Sequence, residues 1–228
     1  DKIGLEPKEG ESHKITNLRS QLLMTCSLFK SPKVLQFGLE KFHDYMNGKP
    51  VSADILAVVM RIGASQDINS YNWLIEKLEK SETPETEKIK ILGALGSFND
   101  NETVLKALNY SLEKVPSKNK IYPFIYATYN LSVVDNLWQW YLDNYKQLEK
   151  VLHPMHYENI ILGICGVPAI NHSEEIKQFF NSYIKEREQG YKQANQGESK
   201  EETKERRERG KREMFAHNNK RTTRGRRK

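Results

Sequence analysis

The tripeptide Leu-Glu-Lys stands at residues 39–41, 112–114 and 148–150, and again out of step at 78–80, where Ile75-Glu76-Lys77 just before it keeps the spacing. The steps are 36, 37 and 36 residues, and Ile184 lies a further 36 on. A fixed step of this size is the mark of helix pairs stacked on one another, because a single pair is too small to bury its own apolar faces. Leu-Glu-Lys is common on helices, so coincidence is the competing reading. Four copies in register, each late in an expected helix, favour the repeat.

One unit is legible in full between Arg61 and Asp100. Asp67 or Asn69 is placed to cap a helix, accepting from backbone N–H groups that have no partner inside it. Tyr71, Leu74, Ile75 and Leu78 recur three and four apart and give that helix one apolar face. Ser81 to Pro84 stops it and starts the next, with Pro84 near the first turn, where a missing N–H costs nothing. Ile89, Leu92, Leu95 and Phe98 make the second face. Gly96 and Asn99-Asp100 end it, and Asp100 is placed to cap a third helix.

The same signals continue along the chain. Ser12 is a cap for a first helix with Leu18, Leu22, Cys26 and Phe29 on its apolar face. Ser31-Pro32 opens a second, with Leu35, Leu39, Phe42, Tyr45 and Met46 inward, and Ser52 to Ile62 is a third. Val104–Val115, Ile121–Leu131 and Val134–Leu152 follow, the last with the broadest stripe. Pro154 opens another helix through about Cys165, and Ser173 caps the last packed one. No strand-like alternation competes. The expected fold is all-α: a superhelix of stacked antiparallel helix pairs, HEAT/armadillo-like, with about ten helices. Residues 1–11 read as a lead-in loop, 12–188 as the helical-repeat domain and 189–228 as a charged basic tail read as disordered.

Charge divides along the same line. The net +6 hides a split: residues 186–228 hold 15 Lys/Arg against 8 Asp/Glu, and the rest holds 21 against 22. The body is neutral and the basicity belongs to the tail. Its end is KRTTRGRRK, and Arg221, Arg224, Arg226 and Arg227 are candidate nucleic-acid contacts, able to neutralise phosphates. A solvated terminus or a cloning extension is the plain alternative. No apolar run approaches the ~20 residues that span a bilayer, so no membrane partner is expected. The polar start is no signal peptide, and Asp1 suggests a segment of something longer. Cys26 and Cys165 form no Cys-x-x-Cys and read as buried thiols in a reducing compartment, the cytoplasm.

Several of these residues also carry a resemblance. Gly63, Trp73, Glu87-Lys88, Ala94-Leu95-Gly96 and Asp100, with Gly4, Glu6, Pro7, Lys8, Gly10, Glu11 and Leu18-Arg19 ahead of them, resemble the C-terminal helical domain of zinc aminopeptidases of the aminopeptidase N type. That group includes puromycin-sensitive aminopeptidase, the endoplasmic-reticulum aminopeptidases and the tricorn-interacting factors. The likeness covers roughly residues 3–185. It implies a domain that arches over a catalytic domain, closes an internal cavity and limits access to peptides with a free N-terminus. The implied partners are the parent's catalytic domain and its peptide substrates.

The chemistry of that group is absent from this chain. None of the six histidines is followed by Glu, so there is no His-Glu-x-x-His to hold zinc and supply a base. The Gly-x-Met-Glu-Asn motif that holds the substrate amine is missing too. No cofactor is expected here; zinc belongs to the parent's missing catalytic domain. His153 and His156 are three apart, with Pro154 between them and no third ligand near, and read as a helix start. In the family a basic-x-Gln-Asp element faces the peptide cavity; here the stretch is Ser117-Lys118-Asn119-Lys120, with the basic character kept and the Gln-Asp lost. Lys118 and Lys120, with Trp140 off its helix's main stripe, are the candidate peptide-cavity contacts. Trp73 and Trp138 read as core. The alternative function is a stand-alone helical-repeat scaffold binding a protein or peptide, its basic tail adding nucleic-acid affinity.

Overall fold

The computed structural model describes residues 3–166 and 168–196. Among them every regular element is a helix: α1 His13–Leu28, α2 Pro32–Met46, α3 Ala53–Gln66, α4 Ser70–Glu79, α5 Glu85–Leu95, α6 Asn101–Lys114, α7 Ile121–Thr128, α8 Val134–Val151, α9 Pro154–Ile164 and α10 Ala169–Gln196. The chain falls into two compact units, residues 1–173 and 174–228. The sequence reading carried the helical domain on to 188.

The first unit is two-layered. The odd-numbered helices pack in series, α1 on α3, α3 on α5, α5 on α7 and α7 on α9, and they also pack on their even-numbered neighbours from α2 to α8. Leu39, Ile75, Leu112 and Leu148 fall on α2, α4, α6 and α8, so the 36-residue step counts helix pairs. Leu112 and Leu148 are buried, while Leu39 and Ile75 are half-buried. They stand seven, four, two and three residues before the ends of those helices, so the step keeps the count of helices but neither the position within each helix nor the depth of burial.

The middle of the odd layer is the core. Ile55, Leu56, Val58, Val59, Met60 and Ile62 of α3 are buried, as are residues 91–98 at the end of α5. A helix with neighbours on both sides and behind it has no free face, so its burial exceeds one stripe. Close approach is made by glycines. A Cβ on Gly63 would lie 2.1 Å from Cγ of Phe42, and one on Gly96 would lie 2.2 Å from the carbonyl oxygen of Pro123. Gly96 has φ −80, an ordinary value, so it is there for space and not for a left-handed turn.

Local signals held in part. Asp100 caps α6, its carboxylate accepting from the backbone N–H of Thr103 at 2.8 Å and from the Thr103 hydroxyl. Ser12 and Asn69 make no side-chain cap; Asp67 instead accepts from the N–H of Asn69 in the turn before α4.

Three expectations are corrected. The buried side of α1 is Thr16, Arg19 and Leu23, while Leu18, Leu22 and Phe29 of the expected apolar face are exposed. The reason is Arg19, whose guanidinium is drawn inward by Glu11 and by the carbonyls of Ile3 and Gly4. The cysteines are not buried thiols: Cys26 is half-buried and Cys165 is exposed just past α9, where Ile164 takes the inner position. And α10 stays helical to Gln196, beyond the expected break at 189. Glu186, Arg187, Glu188 and Lys192 are strong helix formers, and one interior glycine costs only about 1 kcal/mol.

In the second unit, Phe179 packs on Phe180 and Tyr183, and the Arg187 guanidinium lies 5.3 Å from the Tyr183 ring centre. Arg221, Arg224, Arg226 and Arg227 lie outside the described residues.

Candidate functional site

The turn between α6 and α7 carries two of the three candidate peptide contacts, and the structure gives them different roles. Lys118 is exposed and pairs with Glu85 at 2.7 Å. Asn119 is buried and donates to the same carboxylate at 2.8 Å. The two together hold the Glu85 carboxyl below the ordinary range, Lys118 foremost. Glu85 is the first residue of α5, so this turn is bolted to the start of a core helix. Lys120 is only 6% exposed. Its ammonium donates to the carbonyl of Ser111 at 3.0 Å, which also accepts from the N–H of Val115, and to that of Leu112, both in the last turn of α6. Burial pushes its pKa down. The side chain is committed to a helix end.

Trp140, expected off the main stripe, is also buried. Its indole N–H donates to Asn109 at 2.8 Å and its ring lies against Phe124 at 5.2 Å between centres. Trp138 is buried and stacks on Tyr141, as a core tryptophan should. Trp73 is half-buried and meets Phe42 and Tyr45 edge-on.

Three of the residues that carried the resemblance, Gly63, Trp73 and Glu87, converge. Gly63 admits Phe42; Phe42 and Tyr45 hold Trp73; the Tyr45 hydroxyl donates to Glu87; and Lys77 pairs with Glu87 at 3.3 Å while lying over the Tyr45 ring. Burial first, then the Glu87 charge, raises the Tyr45 pKa far above the usual phenol. This chain of contacts ties α2, α3, α4 and α5 together. The motif is packing, not chemistry, which is why its residue types looked unlike any catalytic set.

Sequence reasoning missed Arg61. It lies on the side of α3 turned away from α2. Its guanidinium donates to Ser97 at 3.1 Å and to the Met24 sulfur, and stacks 4.2 Å from the Tyr126 ring centre. One side chain so joins α1, α3, α7 and the turn just past α5. No carboxylate pairs with it among the described residues, and burial lowers its pKa. An arginine two residues before a packing glycine was the only signal available.

His153 caps α9, its Nδ1 accepting from the N–H of Met155 at 3.3 Å. Among the described residues no three His, Cys, Asp or Glu gather as metal ligands, and no helix is long and apolar enough to cross a membrane.

Compared with known proteins, residues 1–200 match the family described as ERAP1-like C-terminal domain. Aminopeptidase M1-B of Oryza sativa subsp. japonica is 29% identical over 157 residues, covering 65% of this chain and 18% of its own. Aminopeptidase M1-C of the same plant is 25% identical over 194 residues, 81% of this chain and 22% of its own. The alanine/arginine aminopeptidase of Saccharomyces cerevisiae is 24% identical over 192 residues, 80% and 22% respectively. The chain thus spans about a fifth of the length of these relatives.

Proposed function

The chain belongs to the ERAP1-like C-terminal domain family, and on that premise we infer that it is the cavity-closing C-terminal domain of a zinc metallo-aminopeptidase, one that removes N-terminal residues from peptides. The observation that carries this is the match over residues 1–200, in a sequence with no His-Glu-x-x-His of its own. The domain does not cut; it walls. Its two-layered stack, read as a HEAT/armadillo-like superhelix, excludes folded proteins and leaves a peptide's distal part somewhere to lie. Stiffness suits that task, and glycine-mediated helix contacts and the Arg61 bridge supply it. Of the three candidate peptide contacts, exposed Lys118 is the one able to meet a peptide without unpacking the fold. Zinc, base and amine-binding groups come from the catalytic portion, in a reducing compartment such as the cytoplasm, where both cysteines stay as thiols.

Two measurements test this. The isolated chain, dialysed and analysed for metal, is expected to hold no stoichiometric zinc and to leave an aminoacyl chromogenic substrate intact; one equivalent of zinc with turnover refutes the reading. The longer polypeptide is expected to carry His-Glu-x-x-His ahead of this domain, and to cleave short peptides while sparing the N-terminus of a folded protein. Equal attack on both would remove the cavity-closing role.

A further inference from the structure

Helix α1 presents a strip that the first unit does not use. Leu18 is 41% exposed, Leu22 44% and Phe29 83%. With Thr25 they stand at the spacing of one helical stripe, opposite the buried Thr16, Arg19 and Leu23. Asn17, Gln21 and Leu28 flank them, all exposed and all uncharged. From Ile15 to Phe29 the one charged residue is Arg19, and it is turned inward onto Glu11. In a chain that is 29% charged, an exposed helix face with no charge is what an interface core looks like. The outermost helix of a stack ordinarily carries a polar outer face, because nothing follows to cover it. Here it carries leucines and a phenylalanine.

The helix end reinforces the display. The Ser31 N–H closes back onto the carbonyl of Cys26 at 2.9 Å, and Lys30 takes φ +54, a left-handed position that favours glycine. That closure stops α1 directly after Phe29.

We propose that this strip is the seat of the portion of polypeptide that precedes the domain, and that its occupant is an apolar, uncharged surface of that portion. The proposal rests on the functional reading above. Three observations select this occupant. The matched family is a C-terminal domain, and the relatives are about five times longer than the region they share with this chain, so most of such a protein precedes it. The described start of the chain is held against the same helix, since Arg19 in mid-α1 donates to the carbonyls of Ile3 and Gly4. And Ile3 and Leu5 line one groove with Leu22 and Cys26, beside Arg19 and Lys33, so the start of the chain reaches the edge of the strip at Leu22.

Hydroxyl-radical footprinting of the 228-residue chain, alone and within the longer polypeptide, tests this, with Met155 of α9 as the exposed reference. Side-chain oxidation at Phe29 is expected to fall roughly tenfold in the longer form, as an 83% exposed ring becomes buried. Leu22 should fall with it, and Leu22→Asp with Phe29→Asp should restore labelling around α1 while the melting profile of the isolated chain holds. Equal labelling in both forms overturns the proposal. So does a concentration-dependent dimer of the isolated chain, seen by sedimentation and abolished by Leu22→Asp, since the occupant is then a second copy. Protection of the strip in an enzyme that attacks folded and short substrates alike would uphold the seat and overturn only the gating function.

Discussion

Gly96→Ala isolates the close contact between α5 and α7. The added methyl would meet the Pro123 carbonyl oxygen at 2.2 Å, its carbon at 3.0 Å and the Ala127 nitrogen at 3.1 Å. Ordinary contact needs about 3.5 Å, so the helices must part by more than 1 Å. All three obstacles are backbone, so no rotamer change relieves them. Overpacking costs about 1–3 kcal/mol, and a rigid wall puts this case at the upper end. At about 2–4 °C per kcal/mol for a chain of this size, Tm is expected to fall by about 6–12 °C. Gly93→Ala, one turn earlier, is the control. Its methyl would meet the Tyr126 ring, Cε2 at 2.6 Å, which can swing, and a helical alanine regains about 1 kcal/mol. Its net effect should stay within about 1 kcal/mol. Thermal melts followed by circular dichroism, with urea midpoints at constant slope, read both. A Gly96→Ala melt matching the parent, or Gly93→Ala falling further than Gly96→Ala, would refute the backbone-collision argument.

Other outcomes follow from the same structure. Lys120→Met is expected to cost about 1–3 kcal/mol, because the Leu112 carbonyl loses its donor inside the fold; a variant as stable as the parent in urea would assign the α6 end another partner. Asp100 titrates below the ordinary range through its bonds to Thr103, so its contribution is present above the unfolded carboxyl's range and is lost as pH falls through the folded pKa. The gap in Tm between parent and Asp100→Asn should therefore be full at neutral pH and close in acid, as melts across pH will show. Tyr45 and Tyr110 hold their protons above the usual phenol range, by burial and then by Glu87 and Glu79, so stability should decline as pH climbs past about 10, and less steeply in Glu87→Gln. Removing residues 197–228 should abolish any duplex binding, and before removal that binding should weaken with salt at a log–log slope of about −0.9 per phosphate neutralised; affinity that survives the deletion would place a binding surface on the body.

The local code of this chain lies in its sequence. Apolar spacing, Pro32, Pro84 and Pro154 at helix starts, and Asp100 before α6 set where helices run, because capping and periodicity act within a few residues. The 36-residue step set how many pairs stack, and the absence of His-Glu-x-x-His is itself a fact of the sequence. Which face points inward was decided by tertiary structure. In α1 the apolar stripe lost to Arg19, because a guanidinium satisfied by Glu11 and two carbonyls outweighed three leucine-sized contacts with nothing to meet. Lys120 and Trp140 looked available and are buried, since the α6 end needed a donor and Phe124 needed a neighbour. Gly63 and Gly96 were visible as motif letters only; that each stands where another helix touches the backbone depends on residues 21 and 27 positions away, Phe42 and Pro123, and no local rule reaches that far.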